Sequence, residues 1–118
     1  MNDNEFRALL KAKGYGDHMS EMGRDRLLAR WMEVVLLVER GYPFGLDDYR
    51  NDLDVREAIS ATGLDRDAAE ADSRFRDLLT ATDKRVWRSD IENDFWNLGY
   101  PKNASGTLLS DLKESKLI

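Results

Sequence analysis

Asp47, Asp48, Asp52 and Asp54 crowd one short stretch, and Asp48 and Asp52 share a face if that stretch is helical. Two carboxylates so placed can bind a hard cation or divide acid and base roles. The competing reading is a solvated helix start, where aspartates suit the positive end of the helix dipole. No EF-hand loop accompanies them, because the glycine and glutamate that such a loop requires at its sixth and twelfth positions are missing. A Glu-x-x-His pair, which helical di-iron sites use, is also missing.

His18 is the only histidine, so any triad or general-base scheme must use it. It follows Asp17 in a glycine-flanked stretch, with no Gly-x-Ser-x-Gly elbow nearby. A zinc site with one histidine and no cysteine would need three carboxylates. Gly14-x-Gly16 and Gly41-x-x-x-Gly45 are too short for phosphate loops and read as helix stops. No cofactor or metal is expected.

Whatever these residues do, helices must position them. Between Ser20 and Gly41, Leu27, Trp31, Val34, Val35 and Val38 recur at helical spacing, and Val34 to Val38 is apolar on every side. Such a helix must be wrapped by others. It is too short and too charged at its ends to cross a bilayer. Ser20 is the expected cap, and Gly41 the expected left-handed residue after its end.

Before it, Asn2 with Glu5 signals a helix start, and Phe6, Leu9 and Leu10 give that helix one apolar face. Beyond Gly45, Leu46 to Thr62 is predicted helical. Its Tyr49/Leu53 and Val55/Ile59 faces are offset, and Asp54 with Glu57 allows a break near 52–54. Asp65 or Asp67 opens a further helix whose stripe runs through Ala71, Phe75 and Leu78 to Thr82. Trp87, Ile91, Phe95 and Leu98 suggest another, ended by Gly99-Tyr100-Pro101, and Leu108, Leu109 and Leu112 a last one. No alternating β-branched run or hairpin signal appears. The expected fold is all-α: one domain over 1–118, a compact bundle of five or six helices around a central buried helix at about 20–40, with no sheet.

The chain has 118 residues, no cysteine and a formal net charge of −5. That length supports one unassisted core. The missing cysteine removes disulfides and thiolate chemistry, and fits a reducing, cytoplasmic setting. No secretory signal or membrane span is visible. From Asp47 to Asp77 there are ten acids and five arginines, a difference that equals the whole net charge.

A helix-turn-helix over 55–79 is the alternative with a specific shape, with Gly63 at its turn. Its second helix would have to approach phosphates behind Asp65, Asp67, Glu70 and Asp72, with only Arg66 to offset them. Nucleic-acid binding is therefore not expected. Among the aromatics, adjacent Phe95 and Trp96 cannot both point inward from one helix. One of them, or the Tyr42-Pro43-Phe44 loop, is a candidate exposed contact.

Glu39-Arg40-Gly41-Tyr42, Asp48-Tyr49, Asn51-Asp52-Leu53 and Arg56, followed by Asp72, Arg74 and Phe75, resemble a pattern shared by small bacterial proteins with no assigned activity. The resemblance covers the middle of the chain. It implies a bacterial cytoplasmic protein and carries over no site residues. The same grouping also reads as a structural network in which Arg56 pairs with Asp52.

The expectation is thus a non-catalytic acidic interaction protein: a small regulator, immunity-type inhibitor or accessory subunit. Its partner-binding candidates are Asp47, Asp48, Asp52, Asp54, Tyr42 and Phe44, facing another protein with a basic surface. A homo-oligomer is compatible with this. The second alternative is a small all-α enzyme using His18 or the Asp48/Asp52 pair.

Overall fold

In the computed structural model, Leu27, Trp31, Val34, Val35 and Val38 are all fully buried on one helix, α3 (Gly23–Glu39). The structure describes residues 2–81 and 98–118. Each such side chain contributes about 1.5–3 kcal/mol by leaving water. Around α3 stand α1 (Asp3–Ala12), the single turn α2 (Asp17–Ser20) and α4 (Leu46–Ala61), then a 3-10 turn (Asp65–Ala68) leading into α5 (Ala69–Asp77). Strands β1 (Leu79–Ala81) and β2 (Leu98–Pro101) follow, then α6 (Gly106–Glu114). The expected all-α bundle around a central helix is what the chain forms.

Among the described helices, only α1 takes a side-chain cap from its own N-cap residue. Asn2 caps α1 by accepting from the Glu5 amide at 2.9 Å. Ser20, however, does not cap α3. The turn after Gly16 is itself helical, so Ser20 ends α2, and α3 begins three residues later without a side-chain cap. At the far end Gly41 takes φ +99°, a left-handed conformation suited to glycine. Asn103 adds a donor there, 3.1 Å from the Val38 carbonyl.

Helix α4 runs unbroken through 52–54. Its two offset apolar faces are both used, because α3 covers one side and α6 another. The helix expected to reach Thr82 stops at Asp77, and Leu79 to Ala81 pairs antiparallel with Leu98 to Pro101. This small ribbon departs from the expectation of no sheet. Strands of three and four residues are too short to show alternation, and Leu78 and Leu79 also fit the preceding helical stripe. The expected Trp87–Phe95 helix and the Phe95/Trp96 pair lie outside the described residues. Leu98 belongs to β2.

Candidate interaction surface

The C-terminal half of α4 turns a charge inward. Arg56 is only 2% exposed and Asp72 on α5 only 4%. Arg56 Nε and Nη2 donate to the two Asp72 carboxylate oxygens at 2.8 and 2.9 Å, a bidentate pair. Trp31 Nε1 donates to the same Asp72 at 2.9 Å, and its ring meets Phe75 edge-on. Arg56 also donates to Ser60 Oγ at 2.7 Å and to Asp65 at 2.8 Å, and Ser60 donates to Asp65.

Burial alone would lower the Arg56 pKa, but bonds to Asp72 and Asp65 outweigh it and raise the value. Burial raises Asp65, yet the bonds from Ser60 and Arg56 hold its carboxyl below the usual range. The expected Arg56–Asp52 pair does not form. Arg56 points toward α5, whereas Asp52 faces α3 and the loop before α4. A shallow depression of about 350 Å3, with Arg66 and Arg76 on its rim, lies over this network. Asp72, counted above as an acid facing phosphate, is a core counterion.

Midway along α4, Asp52 is half-buried. It accepts from the Tyr42 hydroxyl at 2.6 Å and from Arg30 Nη2 at 3.1 Å. Tyr42 is 3% exposed, and burial, then the Asp52 hydrogen bond, push its pKa well up. Arg30 also donates to Glu33, which Arg26 holds below the usual carboxylate range. Asp54 is half-buried too. Its charge and that of Glu57 add to burial in pushing Tyr15 up to about 12.

The N-terminal end differs. Phe44 is 50% exposed, with its ring edge-on to Tyr42 at 5.7 Å. Asp47 and Asp48 are exposed in the first turn of α4 and carry no ion pair or hydrogen bond among the described residues. A shallow depression of about 210 Å3 opens beside Asp47, lined also by Arg50 of α4 and, across from it, by Asp111 and Glu114 of α6. The structure therefore separates the six candidates. Phe44, Asp47 and Asp48 share an exposed end of the molecule, while Tyr42, Asp52 and Asp54 face inward or across the fold.

The remaining candidates stand apart from one another. His18 is exposed on α2 and carries no hydrogen bond or ion pair among the described residues. The Asp48/Asp52 pair is divided, one exposed and one tied to Arg30. Among the described residues no three His, Cys, Asp or Glu side chains converge as metal ligands. In the 55–79 hairpin, Asp65, Asp67 and Glu70 are exposed, and Arg74 is engaged by Glu39 of α3 at 2.8 and 3.0 Å.

Asp72, Arg30 and Asp111 shape these regions, and local sequence spacing does not single them out. Only the Arg56…Asp72 members of the quoted pattern hinted at one of them. No helix among the described residues is long and apolar enough to cross a membrane. Comparison with protein-family models, curated proteins and solved structures gives no match.

Proposed function

We propose that the chain is a non-catalytic interaction protein, a small regulator, immunity-type inhibitor or accessory subunit. Its contact face is the Phe44 loop and the first turn of α4. The observation that carries this reading is a half-exposed aromatic ring three and four residues before two exposed carboxylates that form no hydrogen bond or ion pair among the described residues. A ring held edge-on to buried Tyr42 loses little freedom on contact, and aromatic anchors dominate binding energy. Asp47 and Asp48 favour a partner with a basic rim and speed its approach at low salt.

The test is affinity capture from cells with the native chain, Phe44→Ser, Asp47→Lys/Asp48→Lys and, as a distant control, Glu70→Lys. One protein retained by the native chain and the control but lost with both face variants is the expected result. Its retention should fall as salt is raised. Capture that is the same for all four chains at physiological salt would overturn the assignment.

A further inference from the structure

Helix α4 lacks a cap of its own. Its N-cap residue is Gly45, which has no side chain to accept from the first-turn amides. The acceptor comes instead from α6: Asp111 Oδ2 stands 3.0 Å from the Leu46 amide, 65 positions away in sequence. Gly45 is matched to this arrangement. A Cβ built there would lie 2.6 Å from Asp111 Oδ2 and 3.3 Å from Thr107 Cγ2. The absence of a side chain at 45 is thus what admits a carboxylate from another helix. α6 is held down by Leu108 and Leu112, both fully buried, and α4 is the principal helix it packs on. A helix of nine residues is marginal alone, so its order depends on this docking.

We infer that α6 is a latch: Asp111 supplies the cap missing from α4, and so couples docking of the C-terminal helix to the order of the 41–46 loop and the first turn of α4. Those are the segments that carry Phe44, Asp47 and Asp48. The latch regulates the contact face only if the interaction reading holds, but the coupling itself does not depend on that reading. Removing the Asp111 carboxylate, or displacing Leu108 and Leu112, loosens the loop. Crowding at Gly45 turns the Asp111 carboxylate away from the Leu46 amide and presses on Thr107, and because coupling between two elements acts both ways, α6 loses the same stabilisation.

Residue-resolved hydrogen exchange on the full chain tests this without a partner. In Asp111→Ala the Leu46 amide should lose its protection, and Tyr49 and Arg50 should exchange about tenfold faster, the scale of a lost cap. Val35 and Val38 in α3 should keep their native rates. Gly45→Ala should reproduce that pattern and also speed exchange at Leu112 and Lys113. Asp111→Asn, which retains an acceptor oxygen, should stay near the native profile.

Unchanged rates at 46–50 in Asp111→Ala, or an undisturbed α6 in Gly45→Ala, would sink the latch. So would a uniform acceleration of every amide, which marks simple global destabilisation. If Asp111→Ala does not fold, Gly45→Ala decides alone. Failure of the capture experiment with these exchange patterns intact removes the interaction reading and leaves the latch standing.

Discussion

The two ends of α4 are built from similar residues and are used in opposite ways. At the C-terminal end, Asp65 and Asp72 close on Arg56, Asp72 within the core and Asp65 at its exposed edge. At the N-terminal end, Asp47 and Asp48 are exposed and form no ion pair among the described residues, although Arg50 lines the same depression as Asp47. The difference is a counterion supplied across a helix interface, which local acid density does not reveal. Of the ten acids between 47 and 77, Asp52, Asp65, Asp67 and Asp72 are bonded to arginines. Asp54 and Glu57 act on Tyr15. Most of a run that reads as one acidic face is thus engaged within the fold, and Asp47, Asp48, Glu70 and Asp77 are its exposed members that form no ion pair among the described residues.

The harshest way to break this contrast is Arg56→Met. It leaves the Asp72 carboxylate buried without its cation, a change that costs about 3–5 kcal/mol in comparable sites. The urea midpoint should fall accordingly, and Arg56→Met/Asp72→Leu should recover a large part of the loss. A drop below about 1 kcal/mol in the single variant would show that the network is incidental.

Acid acts on the same cluster with a definite sign. Because the folded pKa of Asp65 lies below its unfolded value of about 3.9, its contribution is complete above that value. It is lost as pH falls through the lower, folded value. Stability of the native chain should therefore fall more steeply below about pH 4 than that of Arg56→Met, as read from urea midpoints across that range.

What the sequence made legible follows the range of the interaction. The Asn2 cap, the Gly41 stop and the Leu27–Val38 stripe depend on residues within about one or two helical turns of one another, and the structure shows all three. That same local rule pairs Arg56 with Asp52, four residues before it. The rule fails there because Asp72 is nearer in space although sixteen residues away in sequence. β1 and β2 escaped for the same reason, since a ribbon this short exists through its pairing and not through its composition. At the candidate face, the aromatic loop and the acids could be read from the sequence. Which of them face water could not, because Tyr42 is drawn inward by Asp52 and Tyr49 of α4, contacts that the loop's own sequence does not show.

Between the two ends, Tyr49 offers a sharper test of where polar atoms belong. It is fully buried, edge-on to Tyr42 at 5.5 Å, and its hydroxyl has no hydrogen-bond partner among the described residues. Burial pushes its pKa well up. An orphaned hydroxyl carries a desolvation cost with nothing to offset it, so Tyr49→Phe should stabilise the fold by about 1 kcal/mol. Thermal and urea unfolding should agree on the gain. A loss instead would mean that this oxygen is bonded after all, and that α4 holds a second internal polar contact.

The gentlest changes lie at the exposed end, and their smallness gives them their value. Asp47→Lys/Asp48→Lys reverses two charges that favour the helix dipole, a cost of about 0.3–1 kcal/mol each. Phe44→Ser removes a ring whose outer half already faces water and should stay within about 0.5 kcal/mol of the native chain. If unfolding curves bear this out, loss of a captured partner in either variant reports on contact and not on folding. A Phe44→Ser cost above about 1.5 kcal/mol would show that the ring mainly shields Tyr42 and its bond to Asp52. Phe44 would then belong with Arg56 among the residues that build the fold, and Asp47 and Asp48 alone would be left to meet a partner.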